Sequence, residues 1–511
     1  MGNKKNKKEL ERIKNKHNNN KLNNSNKNVE KIVNEDKLLI ENNIINKDDI
    51  EIDGSAKQEE KKEDNILDND IMIKDVSNKI KNKKKITRII LIVLLSVLLS
   101  LLTITLINYI DMENKEKKRL ENIIRQNEKI RLLVEEINSH YNSIVKTNKD
   151  AEIYDDEGNV IGIIYEGIEL ELEEIEIDKD TKYFKISKID GYIKYQDVEK
   201  IESKTVYDDR YKNYIVFNLN IITNDITSFY DEDLNKIYTF NKSFDLPIII
   251  KDTDKYGVEF NDRLLYVKTD DVKEVKYNYN TDKNNASGVG VFNYHAFYDE
   301  ENYEEKKACN TMICHSKKQF KTHLDYFKEH NILTLKAHEL EDYIDGKIRL
   351  PKSILITIDD GPKTEHAVNM LTEYKMYATI FLITDWFDEK TYYKTEYIEL
   401  HSHGHDLHNQ GVCPGGQGGG IKCLPRDVLL KDLKESSMEL GGSKYFCYPF
   451  YEYNNYSISV LKEAGYTMAF AGEYGDMLTK VGRNKYTIPR FVITIYTTLN
   501  DINNYLNQIR V

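Results

Sequence analysis

The sequence predicts an α/β catalytic domain that follows a transmembrane helix and two small all-β modules. Three observations indicate this order. An uncharged apolar run covers residues 89–110, strand-like alternating segments with turn signals follow it, and apolar strands alternate with helices in the last part of the chain. There, a predicted helix at 367–376 precedes a predicted buried strand at 377–383. This alternation is typical of a parallel α/β fold.

The N-terminal tail, residues 1–80, is dominated by Lys, Asn, Asp and Glu. Such a segment cannot bury enough apolar surface to fold alone, so we expect a disordered tail. The 511-residue chain carries a formal net charge of −12, which argues against nucleic acid as a partner.

The apolar run at residues 89–110 has a length suited to a membrane-spanning helix, which needs about 20 residues. A basic cluster at 83–88 precedes the run, whereas Asp111 and Glu113 follow it. The positive-inside rule places the N-terminus in the cytoplasm. We therefore expect a single-pass protein of the cell membrane with an extracellular catalytic domain.

Residues 111–149 combine charged residues with apolar residues at helical spacing, which predicts a juxtamembrane helix. This helix is either a lone stalk or a short coiled coil that joins two chains into a homodimer.

Residues 150–204 and 205–280 look like a tandem repeat of a small β module. The sequence YDDE at 154–157 is echoed by YDED at 230–233. Both segments resemble bacterial SH3-like modules, and that resemblance implies binding of cell-wall glycan. Their many tyrosines either stack on sugar rings or fill the core of a sheet.

Two motifs in the catalytic part have the chemistry of a metal-dependent hydrolase: TIDDG at 357–361 and HSHGHDLH at 401–408. Adjacent carboxylates at a strand end, Asp359 and Asp360, allow one of them to bind a metal while its neighbour remains free as a base. Two histidines and one carboxylate leave coordination positions open, as hydrolytic zinc sites require. The spacing admits two histidine pairs, which are His401 with His405 and His403 with His408.

These motifs resemble those of the polysaccharide deacetylases of the NodB-homology type, carbohydrate esterase family 4. The resemblance covers residues 285–511 and implies a distorted (β/α) barrel. The wider context of the histidine motif resembles the poly-N-acetylglucosamine deacetylase branch, and that alignment favours His403 and His408 as ligands. Gly404 stands where the family usually has Thr.

Further matches complete the implied site. NYHAF at 293–297 resembles the motif that supplies the general acid, FCYPF at 446–450 resembles the motif that shapes the sugar groove, and IPRF at 488–491 supplies an arginine that holds the base. Cys447 occupies a position where most of the family has Arg. The resemblance assigns catalysis to Asp359, His295 and Arg490, substrate binding to Tyr448, Pro449 and Phe450, and metal binding to Asp360, His403 and His408.

All five cysteines lie in the catalytic part, as expected for an extracellular domain. Cys309 with Cys314, and Cys413 with Cys423, are close enough to close short disulfide loops, which leaves Cys447 as a free buried thiol.

The resemblance implies a metal-dependent N-deacetylase, with Zn²⁺ favoured over Co²⁺ or another divalent ion. We expect it to act on the N-acetylglucosamine or N-acetylmuramic acid of peptidoglycan and so to give lysozyme resistance. Two alternatives are a poly-N-acetylglucosamine exopolysaccharide deacetylase and a catalytically weak scaffold that binds the cell wall.

Overall fold

A computed structural model of the chain describes residues 73–138, 144–177, 182–278, 285–472 and 477–511. Of the predicted disordered tail, residues 1–80, the first 72 positions lie outside the described residues. The chain divides into two units between Lys117 and Lys118.

Helix α1 (Ile73–Asn138) contains the predicted transmembrane segment 89–110. It is long and apolar enough to cross a membrane, with a mean hydropathy of 3.0 over its most apolar window. The apolar side chains of this segment are exposed, as a lipid-facing surface requires. The predicted helical stalk 111–149 is too long, because α1 ends at Asn138 and Ile144–Thr147 already forms a strand.

The β-rich region that follows is built from short strands. They are β1 (Ile144–Thr147), β2 (Ala151–Tyr154), β3 (Val160–Ile164), β4 (Glu169–Ile177), β5 (Lys182–Ile186), β6 (Tyr192–Lys194), β7 (Val198–Lys200), β8 (Leu219–Thr223), β9 (Thr227–Tyr230), β10 (Lys236–Phe240), β11 (Asp245–Pro247), β12 (Ile250–Lys251), β13 (Lys255–Phe260), β14 (Arg263–Lys268) and β15 (Val272–Tyr277).

The two halves of this region have matching hairpins, and strands of both halves lie in one 12-stranded sheet. Strands β8, β11 and β15 of the second half form a separate three-stranded sheet. The hairpins β2–β3 and β9–β10 both turn at an aspartate, Asp155 or Asp231, whose carboxylate accepts a backbone N–H at 2.8 Å. The halves are joined because β3 pairs with β10 in antiparallel register. One apolar core also runs through both halves. Segments 150–204 and 205–280 therefore pack together, and their SH3-like character stays a prediction.

Several tyrosines of the repeat are core residues. Tyr154, Tyr230, Tyr238 and Tyr266 are all buried. This placement favours the core interpretation over sugar stacking for these four side chains.

The catalytic part alternates strands and helices as the sequence predicts. Its elements are β16 (Gly290–Tyr294), β17 (Ala296–Tyr298), α2 (Tyr303–Ala308), β18 (Cys314–Ser316), α3 (Lys317–Glu329), β19 (Leu333–Thr334), α4 (Ala337–Ile344), β20 (Ser353–Asp360), α5 (Glu365–Tyr374), β21 (Ala378–Leu382), β22 (Ile398–Ser402), α6 (Arg426–Glu439), β23 (Tyr445–Cys447), α7 (Asn455–Ala464), β24 (Met468–Phe470), β25 (Phe491–Val492) and α8 (Leu499–Leu506).

The strands of the catalytic part form a distorted parallel barrel. The order is β24-β23-β22-β21-β20-β16-β25, with β19 also paired to β20. A parallel bridge between Phe470 and Ile488 connects β24 to the segment that leads into β25, and β25 pairs with β16. The sheet thus curls back on itself. Helices cover its outside, and the side chains of β20 are buried except at Asp360.

The β-rich region contacts the barrel through a buried ion pair. Arg210 donates from Nε to Glu339 Oε1 at 2.9 Å, and its terminal nitrogen Nη2 donates to Glu339 Oε2. The Tyr214 hydroxyl donates to the same Glu339 at 2.7 Å. The Glu339 side chain is 0% exposed, and it also accepts the backbone N–H of Lys336 at 2.8 Å, so three donors surround this buried carboxylate.

Candidate active site

The predicted site residues come together at the carboxyl ends of parallel strands. Strand β20 ends with Asp359 and Asp360. Strand β16 runs beside it, with Tyr294 paired to Ile358. The residue after Tyr294, His295, therefore lies beside Asp359. Ser402 at the end of β22 is in register with Leu382, the partner of Asp360. The next residue, His403, therefore projects toward Asp360. Carboxyl ends are where α/β barrels place their functional groups.

Asp360, His403 and His408 form a three-ligand set. The Nε2 atoms of His403 and His408 both lie 3.3 Å from Oδ1 of Asp360. Ligands held at about 2.1 Å by a tetrahedral ion are separated by about 3.4 Å, so these distances fit a metal. Oδ1 of Asp360 is buried and accepts no hydrogen bond from the described residues.

The tautomer of His403 is also set for metal binding. Its Nδ1 lies 2.9 Å from the backbone oxygen of Cys447, to which it donates, and this leaves Nε2 facing Asp360. Such a carbonyl partner is typical of metal-ligating histidines. Gly404, at φ +89°, makes the turn that returns the chain to His408, and a Cβ there would lie 3.0 Å from Leu407. Gly404 stands where the family usually has Thr because the positive φ of this turn favours glycine.

The alternative pair lies elsewhere. His401 Nδ1 lies 3.0 Å from Ser443 Oγ, and its ring packs on Tyr445. Burial lowers the pKa of His401 to about 4, so it is neutral near pH 7. His405 faces helix α6, where Glu439 lies 3.5 Å from its Nδ1. Asp360 is therefore brought together with His403 and His408 rather than with His401 and His405.

Asp359 is a buried carboxylate held by a bidentate arginine. Arg490 donates from its two terminal nitrogens to the two Asp359 oxygens at 2.7 and 2.9 Å, and both side chains are almost fully buried. Burial alone would raise the pKa of Asp359, but the Arg490 charge outweighs it and the pKa is lowered. The carboxylate is therefore ionised, as a base must be.

Cys447 adds a third contact to the same carboxylate. Its Sγ lies 3.3 Å from Asp359 Oδ2, and the residue is fully buried. Burial raises the pKa of the thiol, which keeps it protonated and able to donate. Where most of the family has a charged arginine, this chain thus has a neutral donor.

His295 lies beside Asp359 and Tyr451. Its Nε2 is 3.9 Å from Asp359 Oδ2 and 3.5 Å from the hydroxyl of Tyr451. Burial lowers the pKa of His295. The Tyr451 hydroxyl donates to Asn293 Oδ1 at 2.7 Å, so Tyr451 is itself held in place beside the histidine.

The predicted groove residues have different surroundings. Tyr448 is fully buried, and its hydroxyl donates to the backbone oxygen of Tyr486 at 3.0 Å, so its ring belongs to the core. Pro449 is buried as well. Phe450 is half-buried at φ +57°, and its ring lies 4.4 Å from that of His408. Of the three, Phe450 presents a ring beside the metal ligands.

The site opens into a cavity of about 810 Å³, large enough for sugar rings. The predicted residues His295, Asp359, Asp360, His403, His408, Tyr448 and Phe450 line it, together with Thr311, Met312, Ile313, Gln410, Gln417, Tyr451, Val492 and Thr494, which sequence reasoning missed. Tyr451 directly follows the FCYPF motif, and that adjacency was the one available signal.

Both predicted disulfides are present and border this cavity. Cys309 pairs with Cys314, and Cys413 pairs with Cys423, while Cys447 is a free thiol. The first bridge flanks Thr311, Met312 and Ile313, and the second closes the loop that carries Gln417.

The catalytic part of the chain is similar to known proteins. A family described as polysaccharide deacetylase matches residues 347–469. Poly-beta-1,6-N-acetyl-D-glucosamine N-deacetylases of Staphylococcus aureus strains MSSA476 and N315 are 29% identical over 201 residues, covering 35% of this chain and 67% of each relative. A solved de-N-acetylase from Aggregatibacter actinomycetemcomitans is 19% identical, with a TM-score of 0.37, covering 42% of this chain and 99% of its own. IcaB from Ammonifex degensii is 19% identical, with a TM-score of 0.37, covering 43% of this chain and 97% of its own.

The catalytic part of this chain is a hydrolytic N-deacetylase domain. More specifically, it is a polysaccharide deacetylase domain of the NodB-homology type, with homology to poly-β-1,6-N-acetylglucosamine deacetylases. The predicted resemblance of the catalytic part to polysaccharide deacetylases is thereby confirmed. The strand order described above confirms the predicted parallel barrel. Polysaccharide deacetylases are generally dependent on a divalent metal, and the set Asp360, His403 and His408 fits one.

Proposed function

We propose that this chain is a membrane-anchored, divalent-metal-dependent enzyme that removes acetyl groups from N-acetylglucosamine in a cell-surface glycan. The observation that carries the proposal is the pairing of an Arg490-held carboxylate, Asp359, with a three-ligand metal set in one open cavity. Helix α1 supports the anchor, and the positive-inside pattern supports an extracellular catalytic domain.

Each side chain has a defined task in this reaction. Asp360, His403 and His408 hold the ion, and a bound Zn²⁺ supplies Lewis acidity to the acetamide carbonyl and to water. Asp359 takes the proton of the attacking water, because Arg490 and Cys447 keep it ionised and oriented. His295, whose Nε2 lies 3.9 Å from Asp359 Oδ2, gives a proton in its protonated form to the departing amine. The products are acetate and a free glucosamine.

Poly-β-1,6-N-acetylglucosamine is the first candidate substrate. The S. aureus relatives are named for this polymer, and they share 29% identity over 201 residues. This similarity reverses the order expected from the sequence, which placed peptidoglycan first. The aromatic Phe450 beside His408 gives a sugar ring an apolar face to stack on.

Peptidoglycan is the second candidate, with lysozyme resistance as the consequence of its deacetylation. The anchor favours it, because a helix that holds the domain at the membrane also holds it beside the wall. The resemblance of segments 150–204 and 205–280 to bacterial SH3-like modules also supports contact with the wall.

Acetate release tests the proposal. The full chain, purified in detergent with Zn²⁺, is incubated in parallel with a β-1,6-linked N-acetylglucosamine oligomer and with purified peptidoglycan, and Asp359→Asn serves as the control. Faster release from the oligomer supports the first candidate, and faster release from peptidoglycan supports the second. No release from either substrate by metal-loaded protein would contradict the enzyme and favour a glycan-binding scaffold.

A further inference from the structure

The glycine-rich loop, residues 409–423, borders the active-site cavity but has no task in the reaction described above. It directly follows the metal ligand His408, and the second disulfide closes it. Two glutamines of this loop, Gln410 and Gln417, line the cavity, and both are solvent-exposed. The loop therefore brings polar side chains beside the metal ligands that neither hold the ion nor assist the base.

The carboxylate of Glu452 anchors the glycine-rich loop. It accepts the backbone N–H of Gln417 at 2.6 Å and that of Gly419 at 2.7 Å. Nζ of Lys422 lies 2.9 Å from the same carboxylate, and the Glu452 side chain is only 13% exposed. A Cβ at Gly416 would collide with Glu452 Oε1, so glycine allows this close approach of the backbone. Hydrogen bonds to a charged and mostly buried acceptor are stronger than neutral ones, so they hold the loop in place.

Hydrogen bonds within the loop fix the backbone of Gln417 from its other side. The Gln417 carbonyl accepts the N–H of Gly411 at 2.9 Å, and the N–H of Cys413 donates to the carbonyl of Gly418 at 2.9 Å. The backbone of Gln417 is thus held at its N–H by Glu452 and at its carbonyl by Gly411.

The side-chain amides of Gln410 and Gln417 are free, in contrast to this fixed backbone. Neither amide makes a hydrogen bond to another group within the described part of the chain. A primary amide offers two N–H donors and one carbonyl acceptor. The hydroxyl and acetamide groups of an N-acetylated sugar offer the complementary donors and acceptors. Free amides on an ordered backbone are pre-organised for such a ligand, because little further ordering is needed when it binds.

We propose that Gln417, together with Gln410, binds the sugar next to the one that loses its acetyl group, and that Glu452 positions Gln417 for this task. The inference rests on the proposed deacetylase function. The cavity of about 810 Å³ lies in the upper part of the range for ligand cavities, which leaves room for a neighbouring sugar. An oligosaccharide is therefore a better substrate than a monosaccharide, because only a chain contacts the glycine-rich loop while one acetamide lies at the metal ligands.

The dependence of acetate release on chain length tests this role. The full chain, loaded with Zn²⁺, is given N-acetylglucosamine and its β-1,6- and β-1,4-linked pentamers. Gln417→Ala should lower kcat/KM for the preferred pentamer roughly 3- to 10-fold, mainly through KM, as expected for loss of a neutral hydrogen bond. The ratio of kcat/KM for the pentamer to that for the monosaccharide should fall with it. Glu452→Gln should raise KM in the same way while retaining kcat, a split that a merely destabilised fold would not produce. Gln508→Ala, at an exposed glutamine outside the cavity, is the matched control.

Binding without turnover separates this inference from the proposed function. Calorimetric titration of metal-loaded Asp359→Asn with each pentamer measures affinity directly, and adding Gln417→Ala should weaken the tighter complex roughly 3- to 10-fold. If this loss is found but wild type releases no acetate, the deacetylase proposal fails and the loop remains a glycan-binding wall. Equal KM and equal pentamer affinity with and without Gln417→Ala would overturn the inference. Absence of both pentamer binding and acetate release would overturn the inference and the proposed function together.

Discussion

At the scale of single residues, Asp359 and Asp360 are neighbours in sequence but meet different surroundings. Asp359 points to Arg490 and Cys447, whereas Asp360 points to His403 and His408 at 3.3 Å. The alternation of side chains at the end of β20 produces this division. Asp359 is thereby held in place for its proposed role as the base, and Asp360 faces the two histidines with which we propose it binds a metal.

The ligand choice gives the first prediction. His403→Ala should lose the catalytic metal, because its Nε2 faces Asp360, whereas His401→Ala should retain it. Mutation of an outer-shell partner typically lowers metal affinity about 10- to 100-fold, and we expect loss of a residue that binds the ion directly to lower it further. Equilibrium dialysis of both variants with Zn²⁺ measures the difference. Metal loss in His401→Ala with retention in His403→Ala would show that the other pair binds the ion.

Cys447 gives the second prediction. Its thiol donates to Asp359 Oδ2, and a hydrogen bond to a charged group contributes about 1.5–3 kcal/mol. We expect Cys447→Ala to lower kcat roughly tenfold or more with little change in KM or metal content, since only the orientation of the base is affected. Cys447→Ser retains a donor and should recover most of the rate. An unchanged kcat in Cys447→Ala would show that the Cys447 thiol does not orient Asp359 for catalysis.

At the scale of elements, the sequence identified the strand ends that carry the chemistry. TIDDG was recognisable because an apolar run ends in two carboxylates, and β20 ends there. The position of Tyr448 was not foreseen, because its motif reads equally as groove or core, and the ring is fully buried. Tyr451 escaped notice because its left-handed backbone at φ +62° turns it toward His295, which a linear motif does not reveal.

Two buried histidines behind the site give the third prediction. His315 in β18 and His323 in α3 are buried, and burial lowers the pKa of each to about 4 from 6.5. Between these values the unfolded chain binds protons that the folded chain does not. The associated stability is therefore present above pH 6.5 and is lost as the pH falls toward 4.

His323→Gln tests this linkage. Keeping His323 neutral lowers the free energy of unfolding of the wild type by about 2 kcal/mol at pH 5 relative to pH 7. The variant lacks this histidine, so its free energy of unfolding should fall by about 2 kcal/mol less than that of the wild type between the same two pH values. Urea unfolding followed through the single tryptophan, Trp386, gives the comparison. The exposed His330→Gln is the matched control. An equal loss in wild type and His323→Gln would contradict the assignment.

At the scale of the whole molecule, the β-rich region and the barrel depend on each other. The sequence predicted the duplication but not the shared sheet, because pairing of β3 with β10 depends on contacts between residues far apart in the chain. The contact with the barrel was equally invisible, since Arg210 and Glu339 are separated by 129 positions.

The interface gives the fourth prediction. Arg210→Ala leaves Glu339 buried without its cation, which should destabilise the protein by about 3–5 kcal/mol. Arg426→Ala breaks an exposed pair with Glu463 and should cost about 1 kcal/mol or less. Thermal unfolding of both variants in the full chain measures the contrast. Similar small losses would mean that the β-rich region does not stabilise the barrel.

The most direct test of the central claim pairs metal content with acetate release in Asp359→Asn and Asp360→Ala. If Asp360 holds the ion and Asp359 is the base, Asp359→Asn retains the catalytic metal but releases no acetate, and Asp360→Ala loses both. Acetate release by Asp359→Asn at the wild-type rate, or full catalytic metal in Asp360→Ala, would contradict the division of roles between the two carboxylates.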